Sequence, residues 1–130
     1  MPTPAQQVSI DQRRAAYAWE KVHEHKKILA KYTNLAKAAP ALVMSNGLMQ
    51  TLAFFAAKGE EHHKALNADI IGWLTRRDGP LKGGSTDFKS AMDQLLHADG
   101  PTYLRKTEET FALLRWIRQF AAAAEKTGGA

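Results

Sequence analysis

One stretch limits what this chain can become: Asn46–Lys58, N-G-L-M-Q-T-L-A-F-F-A-A-K. Within Leu48–Ala57 only Gln50 and Thr51 are polar. A helix that is apolar on nearly every side is wrapped by its neighbours rather than laid on a surface. It is also too short for a bilayer, which needs about 18–20 such residues. The stretch therefore reads as the buried central helix of a small helical domain, with the other segments covering it.

Those segments carry the 3.6-residue apolar period. Ser9 opens the first helix, and Gln12 completes a capping box with it. From Ser9 to Ala39 there is neither Gly nor Pro, so the pattern predicts one uninterrupted helix of about 29 residues, roughly 43 Å long. Pro40 is expected to end that helix or to start the next. Asn46-Gly47 is expected to bend the chain, and Gly59 to cap the central helix. A further helix is expected over Glu60–Arg76, followed by an exposed loop over Arg77–Gly84. Ser85 or Thr86 caps the next helix, which runs to about Ala98. The last helix starts at Pro101 and runs to about Glu125. The fold class is all-α: a compact single-domain bundle of about five to six helices over residues 9–126, around a buried central helix. Residues 1–8 and 127–130 read as flexible tails. The 130 residues suit one domain.

There is no cysteine, which excludes a disulfide scaffold and a thiolate zinc site. That fits a reducing cytoplasm, and no signal peptide or membrane span is evident. The net charge is +5, and residues 13–37 hold all of the excess. Arg13, Arg14, Lys21, Lys26, Lys27, Lys31 and Lys37 stand there against Glu20 and Glu24 alone. Such asymmetry points either to a polyanionic partner or to a solvated helix face. Ammonium and guanidinium groups on a rigid helix pair with phosphates, which positions a strand without reading its sequence. Trp73 lies on an apolar stripe and reads as core. Trp19 and Trp116, nearer stripe edges, read as core or subunit contacts rather than base-stacking platforms.

Signatures of catalysis are missing. There is no Ser/His/Asp or Cys/His pattern, no phosphate-cradling glycine loop and no HExxH. Glu20-x-x-His23 and Glu60-x-x-His63 have the spacing of a di-metal carboxylate bundle, with Glu108 or Glu109 as a further ligand. Glu60, however, sits where a helix favours an acid anyway. Adjacent His62 and His63 are expected to point about 100° apart on a helix, a poor chelating pair. No cofactor or metal is expected.

Three blocks resemble a known family: R-A-A-Y-A-W-E-K-V (Arg14–Val22), N-G-L-M-Q-T-L-A-F (Asn46–Phe54) and Y-L-R-K-T-E-E-T-F-A-L-L-R-W-I-R-Q-F-A (Tyr103–Ala121). Together they look like the small helical, fifth subunit of the type III-B CRISPR effector, the Cmr complex. The resemblance implies a non-catalytic protein of antiviral defence. Copies of it would stack in a short filament beside the backbone subunit, with the large subunit as a further partner. The filament would line the groove holding guide RNA and target RNA. Asn46, Gly47, Leu48, Leu52, Phe54, Trp116 and Phe120 fall within these blocks and read as fold determinants. The expected RNA contacts come from charge instead: Arg13, Arg14, Lys21, Lys26, Lys27 and Lys31, with Arg76, Arg77 and Lys82 as a second cluster. The alternatives are a free-standing basic nucleic-acid binder and a di-metal helical bundle.

Overall fold

The structure, a computed structural model, describes residues 8–76 and 85–128. Most of the expected N-terminal tail, the expected loop at Arg77–Gly84 and the last two residues lie outside the described residues. Six α-helices and no strand are found among the described residues. They are α1 (Ile10–Glu24), α2 (Leu29–Asn46), α3 (Leu48–Lys58), α4 (Glu61–Leu74), α5 (Phe88–Leu96) and α6 (Gly100–Lys126). The expected all-α bundle is what forms. None of these helices is long and apolar enough to cross a membrane.

The helix ends follow local chemistry. Ser9 Oγ accepts the Gln12 amide, and the Gln12 side chain accepts the Ser9 amide, which makes the expected capping box. Gly59 ends α3 in the left-handed region at φ 68°, as expected of a C-cap. Gly47, at φ 87°, makes the bend between α2 and α3. The first amides of α3 need acceptors there, and Tyr103 of α6 supplies its hydroxyl oxygen to the Met49 N–H at 3.1 Å. The caps of α5 and α6 are Asp87 and Asp99, which accept the Ser90 and Thr102 amides. The cap of α5 is thus Asp87, not Ser85 or Thr86.

Three larger expectations are corrected. The first concerns the helix predicted over Ser9–Ala39, which is broken. A 3-10 turn at Lys26–Ile28 separates α1 from α2, with His25 at φ −114° and Ile28 at φ −119°. No Gly or Pro causes this; tertiary bonds do. Asp69 of α4 is buried and accepts the Tyr32 hydroxyl at 2.6 Å and His25 Nε2–H at 2.8 Å. Its backbone oxygen accepts the Tyr17 hydroxyl at 2.6 Å. A buried carboxylate short of donors is costly, so these bonds outweigh the few helical hydrogen bonds lost at the break. The His25 ring also packs on Tyr32, centroids 4.7 Å apart. Burial and the adjacent Asp69 charge push both tyrosine hydroxyls well above their ordinary pKa, keeping them donors. The element that spans the molecule is therefore α6, 27 residues and about 40 Å long. Both α1 and α2 pack along it.

The second correction concerns Pro40, which sits inside α2. Interior proline costs about 3 kcal/mol. The helix continues because Ala36, Ala39 and Val43 on either side are buried. The third concerns the centre of the bundle. In α3, Leu48, Thr51, Leu52 and Phe55 face inward, but Ala53, Phe54, Ala56 and Ala57 are exposed. The segment enclosed on all sides is the C-terminal half of α4, where every residue from Asp69 to Leu74 is buried. Lack of polar groups did not compel burial of α3, because an apolar surface residue is ordinary.

A second carboxylate ties α6 to this centre. Glu109 accepts Arg14 Nε and Nη2 at 2.6 and 2.9 Å and Trp73 Nε1 at 2.8 Å. The Arg76 guanidinium stacks 3.7 Å above the Trp73 ring, with Nη2 3.8 Å from Glu109. The hydrogen bonds from Arg14, then that from Trp73, hold the Glu109 carboxyl below its ordinary pKa of 4.5.

Both ties can be tested by substitution. A Cβ at Gly72 would lie 2.6 Å from the Tyr17 hydroxyl, which cannot swing away because Asp69 and the Trp73 ring hold it. Gly72→Ala is expected to cost about 1–3 kcal/mol by overpacking. Tyr17→Phe removes the clashing oxygen, so chemical denaturation of the double variant should show less than the sum of the two single losses. Strict additivity would contradict the contact. Glu109, with its lowered pKa, stabilises the fold above pH 4.5, and that contribution is lost as pH falls through the folded-state value. Glu109→Gln should cost about 1.5–3 kcal/mol at neutral pH. Below pH 4.5 its stability curve should converge on that of the wild type; parallel curves would contradict the assignment.

Candidate nucleic-acid interface

The break between α1 and α2 makes an elbow. Its inner side is the His25–Asp69–Tyr32 network, and its outer side is lysine. Lys26 and Lys27 lie in the 3-10 turn and Lys31 in the first turn of α2, all three exposed. Lys37 follows, also exposed. Among the described residues none of these four takes part in an ion pair. The backbone that carries them is pinned by buried bonds, so their positions are set before any ligand arrives. Such ammonium groups suit phosphate oxygens and carry no base-reading geometry.

The other expected contacts divide. Arg14 is bidentate to Glu109 and also meets Asp11 at 3.1 Å, so it serves the fold; its guanidinium is withdrawn as an RNA contact. Arg76 is likewise turned inward, donating to the Trp73 carbonyl at 2.6 Å. Lys21 pairs with Glu24 at 3.3 Å and lies 5.4 Å from the Tyr17 ring centroid. Arg13 is half-buried and joins no ion pair among the described residues. Arg77 and Lys82 lie outside the described residues. What stays on the surface as one group is the elbow set, Lys26, Lys27 and Lys31.

Sequence reasoning passed over a second basic stretch. Arg115 and Arg118 are exposed on α6. Arg115 is close enough to help lower the Asp11 pKa, after the Trp116 and Arg14 hydrogen bonds. The signal was present, because residues 110–124 hold two arginines and no acid. The whole-chain balance concealed it, since acids elsewhere cancel the sum.

The tryptophans serve packing. Trp73 is buried. Trp116 Nε1 donates to Asp11 at 3.0 Å. Trp19 is half-exposed, with its ring edge-on to Phe120 at 5.1 Å and against His23 at 4.2 Å.

The di-metal arrangement does not form among the described residues. His23 Nδ1–H donates to the Trp19 carbonyl at 2.7 Å, and neither Glu20 nor His23 joins a metal-competent group. The adjacent histidines behave otherwise than expected. His62 and His63 do not diverge; their rings lie 4.2 Å apart, tilted by 39°. His63 is buried against Phe55, and burial first, then His62, pushes its pKa below the ordinary value.

Three comparisons agree with this architecture. The profile of the family described as CRISPR-associated protein (Cas_Cmr5) matches residues 10–124. The CRISPR system Cmr subunit Cmr5 of Thermus thermophilus is 35% identical over 111 residues, spanning 84% of this chain and 90% of that protein. A crystal structure of a CRISPR-associated Cmr5 family protein, also from Thermus thermophilus, superposes with a TM-score of 0.75 at 34% identity, covering 90% of this chain and 97% of that one. The helices that build the elbow and its anchor all fall within the matched span, and the chain belongs to the CRISPR-associated Cmr5 family.

Proposed function

We propose that this chain is a non-catalytic small subunit of a type III-B CRISPR RNA-guided effector. Copies of it stack beside the backbone subunits, next to the large subunit, and the elbow lysines hold the backbone of the guide and target RNA. The observation that carries the reading is the exposed set Lys26, Lys27 and Lys31, without ion pairs among the described residues, on a turn anchored from within by Asp69. Membership of the Cmr5 family supports the assembly.

The surface also supports docking to other subunits. Met44 is 78% exposed, Phe54 44%, Leu96 63% and Leu104 57%. These lie on α2, α3, α5 and α6, away from the lysine turn in sequence. Apolar groups of that size suit contact with protein more than with phosphate.

Lysine–phosphate contacts are salt-dependent, at roughly 0.7 in the logarithmic slope per contact on a single strand. In the assembled complex, Lys27→Glu with Lys31→Glu is expected to weaken target-RNA retention by about tenfold or more at moderate salt and to flatten the salt dependence. Filter binding or gel shift at several salt concentrations measures both. Unchanged retention from low to moderate salt would refute the assignment. The isolated wild-type chain should bind RNA weakly, since it offers only part of a groove. Tight binding by the isolated chain, with a steep salt slope, would instead favour a free-standing nucleic-acid binder.

A further inference from the structure

The corner between α3 and α4 places three donor groups together. Gly59 turns the chain sharply, and Glu60 then occupies the N-cap position of α4. A cap residue ordinarily turns its side chain onto the helix amides. Glu60 does not; its carboxylate makes no cap hydrogen bond and points at two imidazoles. Glu60 Oε2 lies 3.4 Å from His63 Nδ1 and 3.7 Å from His62 Nε2. One ligand atom from each of the three residues lies within 4.8 Å of the others.

His63 supplies the independent sign that something belongs there. It is only 7% exposed, and its Nδ1 is buried without a hydrogen-bond partner. A buried polar atom left unpaired costs about 1–3 kcal/mol. Glu60 Oε2 lies 3.4 Å away but makes no hydrogen bond with it.

We propose that Glu60, His62 and His63 form a binding site for a divalent transition-metal ion of the zinc class. The donor set is two imidazole nitrogens and one carboxylate oxygen, the borderline set that zinc favours. With bonds of about 2.0–2.1 Å, tetrahedral ligands stand roughly 3.3–3.4 Å apart, close to the two separations between Glu60 and the imidazoles. Three protein ligands leave a fourth position. Glu60 and His62 border an open groove shared with Lys31 and Asn34 of α2, so that position is reachable by water or an anionic oxygen. The ion would satisfy the orphaned nitrogen and fasten the turn between α3 and α4. The proposal does not depend on the RNA reading.

The test uses the full chain without an affinity tag, dialysed against zinc chloride, with bound metal measured by mass spectrometry and affinity by calorimetry. About one zinc per chain is expected. Cobalt(II) in its place should give the intense visible bands of a tetrahedral site. Glu60→Gln and His62→Gln, both at solvent-reachable side chains, should each weaken zinc binding at least about tenfold, the scale on which metal sites respond to loss of a supporting group. His97→Gln, on the far side in sequence, should leave it unchanged. Zinc binding indifferent to Glu60→Gln and His62→Gln would overturn the site. So would a crystal structure grown with zinc that shows only a water on His63 Nδ1.

Discussion

Asp69 is a carboxylate with almost no access to water, and the placement of three helical segments depends on what it accepts. Its side chain takes donors from the elbow at His25 and from Tyr32 on α2, and its backbone oxygen takes one from Tyr17 on α1. Removing any of these leaves a buried acceptor or donor unpaired, at about 1–3 kcal/mol each. The network therefore tolerates only the conformation in which the chain breaks at His25. Gly72, one turn along α4, belongs to the same constraint, since any side chain there would clash with the Tyr17 hydroxyl.

That break sorts the basic residues. Helix formation alone would have spread the charges of residues 13–37 over several faces of one rod. The folded chain instead draws Arg14 inward to Glu109 and pairs Lys21 with Glu24, while the 3-10 turn presents Lys26 and Lys27 outward beside Lys31. Two carboxylates, Asp69 and Glu109, thus fix α1 against α4 and α6, and the cations that remain exposed are those the networks do not use. A fold built this way offers phosphate-binding charge on a rigid frame, so little ordering entropy is lost when a strand docks.

Much of this was legible beforehand. The capping box at Ser9, the bend at Asn46-Gly47, the Gly59 cap and the start of the last helix rest on local chemistry, and local chemistry is written in the sequence. The break at His25 was not legible, because its cause is a residue 44 positions away. The same holds for Pro40, whose helix survives on buried alanines, and for the roles of Arg14 and Arg76, which a charge count treats like any surface cation. The inward and outward faces of α3 could not be told apart by polarity, since alanine and phenylalanine stand on its outer side. The convergence of Glu60, His62 and His63 escaped for a related reason: ideal helix geometry separates adjacent side chains, while the burial of His63 draws it toward its neighbour.

Whether the pinned elbow meets RNA is the question on which the functional reading turns. Lysine acetylation footprinting of the assembled effector, with and without target RNA, tests it on the unmodified protein. Lys26, Lys27 and Lys31 should lose reactivity when RNA is bound, while Lys58 at the end of α3 and Lys126 at the end of α6 keep theirs. Equal reactivity of the three elbow lysines in both states would contradict the account.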